Sequence, residues 1–141
     1  MVAAWTRPSQ TIGADDDHAV KVLVIDDDPL LRDLLAEFLE LLGHESEIAA
    51  DGPEGLGRFD PLVHHAVLTD FLMPGLTGLE VAAAIRARGC TTPIVMMSGY
   101  AAPADQRRGG QAGLRFVRKP ITFAQFEATI AEVVQHAGTA R

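Results

Sequence analysis

The stretch Val22–Pro29, VLVIDDDP, sets four apolar residues directly against three carboxylates and closes on a proline. A continuous, β-branched apolar run of this kind reads as a strand of a parallel sheet covered on both faces. Pro29 suits the first turn of a following helix, where its missing N–H costs nothing. Asp26, Asp27 and Asp28 therefore sit where a buried strand ends. Crowded carboxylates raise one another's proton affinity, so their placement there asks for an explanation.

The same punctuation recurs along the chain. Leu31, Leu34, Leu35, Phe38, Leu41 and Leu42 follow Pro29 at spacings of three and four. They predict an amphipathic helix ending at Gly43, a good residue just past a helix end. ESEIA (45–49) is a short strand candidate for a sheet edge. GPEGLGRFD (52–60) holds three glycines and predicts one short helix of low stability. HHAVLTD (64–70) is an apolar strand run ending at Asp70. MPGLTG (73–78) reads as a loop and GLEVAAAIRARG (78–89) as a helix. PIVMMS (93–98) ends at the hydroxyl of Ser98. Residues 99–113 should hold a helix weakened by Gly109 and Gly110, and mobile across Ala104–Ala112. LRFVRKP (114–120) ends at Lys119 and Pro120. Phe123, Phe126, Ile130 and Val133 mark a final amphipathic helix that frays from Ala137.

Strand and helix alternate five times at about twenty-residue spacing, the repeat of an open α/β sheet. A chain of 141 residues with 48% hydrophobic content suits one such domain with a full core. Residues 1–20 read as a flexible leader, 21–137 as the domain and 138–141 as a frayed tail. The leader's Asp15-Asp16-Asp17-His18 reads as a solvated charge run rather than a metal site.

Composition removes several classes of function. A net charge of −7 and a pI near 5.1 argue against a nucleic-acid binder, which needs a basic stripe. A single cysteine, Cys90, excludes an internal disulfide and a cysteine-based zinc cage. No signal-peptide pattern opens the chain, and no apolar run approaches the ~18 residues of a membrane span. A cytoplasmic location with no membrane contact is expected.

In open α/β sheets, ligands bind beyond the carboxyl ends of the strands. The residues predicted there are Asp26, Asp27 and Asp28, then Asp70, Ser98 and Lys119, spread over nearly a hundred positions. A hard divalent cation relieves repulsion between such carboxylates. Magnesium prefers oxygen ligands and is held by one or two carboxylates plus a phosphate. Lys119 supplies a point charge and Ser98 a donor, which suits a phosphoryl group. An aspartate can also accept a phosphoryl group covalently. Each residue has a plainer reading. A strand-end aspartate often only caps the next helix, and Asp28, directly before Pro29, fits that role. Ser98 alone reads as a cap and Lys119 alone as a surface lysine; the coincidence of four strand ends carries the argument. His44, predicted to be partly exposed, and His64 and His65, at the start of a strand, read as structural residues.

The motifs VLVIDDDP, LTDFLMPGLTGLEV, PIVMMSGYA and FVRKP together resemble the receiver domain of two-component response regulators, over residues 21 to about 136. That resemblance implies a flavodoxin-like, doubly wound (βα)5 sandwich with a parallel sheet in the order 2-1-3-4-5. It implies that Asp70 is the phosphoacceptor, served by a histidine kinase or histidine phosphotransfer protein, and that the chain catalyses its own phosphorylation and dephosphorylation there. Magnesium, with manganese able to replace it, would be held by Asp26, Asp27, Asp70 and the backbone carbonyl of Leu72, Asp26 acting mostly through water. Ser98 and Phe116 would be the switch residues and Lys119 the phosphate's partner, with a cis bond to Pro120. Leu72, Gly99 and Tyr100 flank the expected phosphoryl position; bulky Leu72 and Tyr100 are expected to slow hydrolysis of the acyl phosphate. Output would pass through the face of the fourth helix, fifth strand and fifth helix to a protein partner, with phosphorylation-dependent homodimerisation a further expectation. No DNA-binding helix pair follows the domain. The alternatives are a phosphorylation-independent interaction module, which usually lacks part of this residue set, and a haloacid-dehalogenase-type phosphatase, whose DxD pattern is missing at Asp70.

Overall fold

The first strand shows why the sheet is buried on both sides. In the computed structural model, which describes residues 19–99, 105–107, 110 and 113–140, with side chains to 135, Val22 through Ile25 are all at most 1% exposed. Only a central strand with helices on each face hides alternate side chains in both directions. This strand, β1 (Lys21–Ile25), is central. The others are β2 (Glu45–Ala49), β3 (Ala66–Asp70), β4 (Ile94–Ser98) and β5 (Leu114–Arg118). All pairs are parallel, and the order is β2-β1-β3-β4-β5, as expected.

Among the described residues, four helices cover the sheet: α1 (Pro29–Leu41), α2 (Gly52–Arg58), α3 (Gly78–Ala87) and α4 (Phe123–Ala140). Residues 105–107 and 110, between β4 and β5, are also helical; the rest of the expected Ala104–Ala112 segment lies outside the described residues, as do the leader through His18 and Tyr100. Val22, Val24, Leu68, Val95 and Met97 pack against Leu35 and Leu39 of α1 and Phe126, Ile130 and Val133 of α4. Leu23, Ile25, Val67, Ile94 and Met96 pack on the other face against Val81, Ala82 and Ile85 of α3. The molecule is a three-layer, doubly wound sandwich. No described helix is long and apolar enough to cross a membrane.

Several local features differ from the sequence reading. In α1 the inward stripe is Leu35, Leu39 and Leu42, while Leu34 and Leu41 are 39% and 66% exposed. The helix carries more leucines than one face can bury, so spacing alone could not choose among them. Its ends are as expected: Asp28 caps it by accepting from the Leu30 N–H at 3.0 Å, and Gly43 takes a φ of 86°. Two of the three glycines of α2, Gly52 and Gly55, are packing residues, while Gly57 has open space around it. A Cβ at Gly55 would lie 2.3 Å from Ile25 Cδ1, and one at Gly52 2.7 Å from Leu76 Cβ. Helix α4 runs from Phe123 to Ala140.

His44, His64 and His65 are structural, as read, but His44 is buried rather than partly exposed. Its Nδ1 accepts from the Val20 N–H at 3.0 Å, and His65 Nδ1 accepts from the Lys21 N–H at the same distance. His64 is buried, bonded through Nε2 to Glu47 at 2.7 Å and through Nδ1 to the Asp60 N–H. These bonds satisfy backbone donors where the sheet begins, at the end opposite the acids.

Candidate functional site at the carboxyl edge of the sheet

Parallel pairing brings the strand ends together. β1 ends level with Thr69 of β3, Asp70 lies opposite Met97, and Ser98 lies opposite Arg118. The side chains following these positions meet at one corner. Single carboxylate oxygens of Asp26, Asp27 and Asp70 all lie within 4.8 Å of one another. Lys119 enters from the end of β5, its Nζ 3.0 Å from Asp70 Oδ1 and 3.7 Å from Asp26 Oδ2. Asp26 is wholly buried, Asp70 and Ser98 nearly so, and Asp27 is exposed at the rim.

Burial decides the electrostatics. It pushes the Asp26 carboxyl above its ordinary range, with the charge of Asp70 adding to the shift, while the Asp28 N–H and Lys119 oppose it. Burial likewise raises Asp70, against the pull of its bond to Lys119. For Lys119 burial pulls downward, but its bond to Asp70 and the charge of Asp26 outweigh it, so the ammonium is held above its usual value. One lysine does not balance three acids.

The backbone around the corner is fixed. The Asp26 N–H donates to the Ala49 carbonyl at 3.1 Å, and the Asp28 N–H donates to Asp26 Oδ1 at 2.8 Å. The Phe71 N–H donates to Met97 and the Gly78 N–H to Phe71, each at 2.8 Å, which folds the MPGLTG loop back over β3. A Cβ on Gly78 would lie 2.4 Å from the Asp70 carbonyl, so only glycine fits there. The Lys119 N–H donates to the Ser98 carbonyl at 2.8 Å, and the Lys119–Pro120 bond is cis, as the resemblance implied.

The remaining predicted residues surround this corner or stand apart from it. Leu72 is 66% exposed and Gly99 is exposed. Phe116 is half-buried on β5, its ring 6.2 Å from that of Phe71. Asp28 caps α1. One participant escaped the sequence reading: Arg32 donates from its guanidinium to the Asp26 carbonyl at 2.8 Å. The only signal for it was a cation in the first turn of a helix, where the positive end of the dipole disfavours one.

The donor set fits a hard cation. Asp26 Oδ2 is buried with no hydrogen-bond partner, and it lies in the cluster. A buried lone carboxylate oxygen is costly unless something positive or donating reaches it. All candidate side-chain ligands are oxygens, as magnesium prefers.

Comparison with known proteins agrees with this geometry. The family model described as the response regulator receiver domain matches residues 22–131. The sensory transduction protein RegX3 of Mycobacterium tuberculosis is 32% identical over 118 residues, covering 83% of this chain and 52% of RegX3. The sensor histidine kinase RcsC of Salmonella typhimurium is 31% identical over 125 residues, covering 88% of this chain and 13% of RcsC. The chain thus spans about half the length of the first relative and a small part of the second. Among solved structures, the Vibrio cholerae chemotaxis protein CheY4 superposes with a TM-score of 0.75 at 30% identity, over 82% of this chain and 98% of that one. A CheY-like receiver domain protein from Methanospirillum hungatei gives 0.79 at 26% identity, over 87% and 99%. By sequence and by fold, this chain belongs to the response regulator receiver domain family.

Proposed function

We propose that the chain is a phosphorylation switch in which Asp70 accepts a phosphoryl group from a phosphohistidine of a histidine kinase or phosphotransfer protein. The observation that carries this reading is the meeting of Asp70 with Lys119 at 3.0 Å and with the carboxylates of Asp26 and Asp27. A carboxylate oxygen of Asp70 attacks phosphorus in line. The phosphorus–nitrogen bond breaks, its electron pair returns to the donor imidazole, and an acyl phosphate forms. Asp26, Asp27, Asp70 and the Leu72 carbonyl would hold magnesium or manganese, with Asp26 acting mostly through water. Bound there, the ion offsets charge on the phosphoryl oxygens.

The chain's own groups do the rest. Lys119 follows the charge from the Asp70 carboxylate onto the new phosphate. Ser98, beside it in the corner, donates its hydroxyl to a phosphoryl oxygen. Phe116 turns inward into the space that Ser98 leaves. The surface of β5, α4 and the helical segment before β5 changes with it and passes the signal to a protein partner or a second copy, in the cytoplasm. Water attack on phosphorus at the same site returns Asp70 to its carboxylate. The name of the longer relative TcrA of Mycobacterium tuberculosis, a transcriptional regulatory protein of which this chain spans 44%, describes that protein's output; for this chain the reading is output by protein contact.

The test is incubation with a small phosphoramidate or acyl phosphate, with and without magnesium, followed by intact mass. Wild type should gain one phosphoryl group only with the metal, and Asp70→Asn none. An interaction module working without phosphorylation would leave both masses unchanged.

A further inference from the structure

We propose that Arg32 is the positioning residue of the acidic corner: by holding the Asp26 carbonyl, it fixes the peptide plane from which Asp27 projects its carboxylate toward the metal. The inference rests on the reading of the corner as a magnesium site, and it adds a residue to that site that contacts neither metal nor phosphate.

Asp26 has four polar groups. Its N–H is committed to the Ala49 carbonyl at 3.1 Å, its Oδ1 to the Asp28 N–H at 2.8 Å, and its carbonyl to Arg32 Nη1 at 2.8 Å. The fourth, Oδ2, faces Lys119 and the cluster. Removing the Arg32 bond frees the carbonyl, and rotation of that plane changes ψ of residue 26 and φ of residue 27 together. Asp26 is wholly buried and tied at its other groups, so it stays in place. Asp27 is exposed, so its direction depends on the backbone that carries it. The half-buried Arg32 also lies near Glu54, whose carboxyl accepts from the Ala50 N–H at 2.7 Å and is held below its usual range first by that bond, then by Arg58 and, more weakly, by Arg32.

Toward a bound metal, the charge of Arg32 and its bond to Asp26 act in opposite senses. Arg32 sits at the positive end of α1, and beside a cation site it repels the metal. An electrostatic role and a positioning role therefore predict opposite signs. Replacing Arg32 with an apolar residue of similar length should tighten magnesium binding if charge dominates, and weaken it if positioning does.

The experiment is a magnesium titration of metal-free wild type, Arg32→Met and Arg32→Lys, followed by calorimetry and by amide chemical shifts, with circular dichroism to establish that each variant is folded. Arg32→Met should bind magnesium about tenfold more weakly, the lower end of what losing a ligand-orienting bond costs. Arg32→Lys should come within about threefold of wild type, because the bond to Asp26 is single and an ammonium can make it. In the absence of metal, the Asp28 amide should exchange faster in Arg32→Met. With a small phosphodonor, the magnesium concentration for half-maximal rate should rise while the rate at saturating magnesium stays near wild type. Unchanged or tighter binding by folded Arg32→Met overturns the inference and leaves the phosphorylation reading standing. A wild type that binds no magnesium overturns both. If Arg32→Met does not fold, Arg32→Leu, which also lacks a donor, carries the same comparison.

Discussion

Replacing Asp26 with asparagine should stabilise the metal-free protein while disrupting the proposed metal site. Asp26 is wholly buried, with carboxylate oxygens of Asp70 and Asp27 within 4.8 Å. At an effective dielectric constant of about 20, each like-charge pair at that distance costs about 3.5 kcal/mol, or about 7 kcal/mol for the two. Lys119 Nζ at 3.7 Å returns about 4.5 kcal/mol. The difference is near 2.5 kcal/mol, and screening of exposed Asp27 brings it to about 1–2 kcal/mol. Asparagine keeps the Oδ1 acceptor for the Asp28 N–H, so the loop bond survives. A gain of that size in a domain of this length raises the unfolding midpoint by about 4–8 °C. The assay is thermal unfolding with a chelator and again with magnesium. At ten times its dissociation constant the metal stabilises wild type by about 1.4 kcal/mol and the variant hardly at all, so the gap should close. The pH dependence has a definite sign. The folded carboxyls of Asp26 and Asp70 lie above their ordinary value of 3.8, so the native state binds more protons than the unfolded chain between that value and the raised ones. Metal-free wild type therefore gains stability as pH falls from neutrality toward 3.8, and Asp26→Asn gains less. A metal-free variant melting below wild type would refute the reasoning, because it would mean that attractions at Asp26 exceed the repulsions.

Three further outcomes are expected. Gly55→Ala should destabilise by about 2 kcal/mol through overlap with Ile25 Cδ1 and Cγ1, and on an Ile25→Ala background, which removes both atoms, the added cost should drop below about 1 kcal/mol, measured by urea unfolding of the four proteins in a double-mutant cycle. Lys119→Met should destabilise the metal-free protein by about 1–3 kcal/mol, since it strands two buried carboxylates. Because the folded lysine titrates above 10.5, that loss is complete at neutral pH and should vanish as pH rises through its folded value. Leu72→Asn should shorten the lifetime of phosphorylated Asp70, followed by loss of the added mass, because an exposed apolar side chain beside the site would be replaced by one that holds water.

The candidate site was more legible than the packing around it, and for a physical reason. A parallel sheet puts every strand's carboxyl end on one edge. Reading where apolar runs stop therefore reads a spatial edge, and Asp26, Asp70, Ser98 and Lys119 could be brought together across the chain without knowing a single contact. Leu34 and Leu41 failed that economy, because a helix face is chosen by what lies opposite it. Gly52 and Gly55 of α2 read as weakness, yet Leu76 and Ile25 lie against them. What stayed hidden are side chains that hold backbone groups outside helix caps. His44 on the Val20 N–H, His65 on the Lys21 N–H and Arg32 on the Asp26 carbonyl all bind atoms that every residue possesses. No residue type marks such a partner, so no spacing rule can find it. Yet an arginine in the first turn of a helix already stood against the dipole. A residue that local physics disfavours, placed within one turn of a predicted site, is therefore the sequence-level sign of a side chain holding that site's backbone.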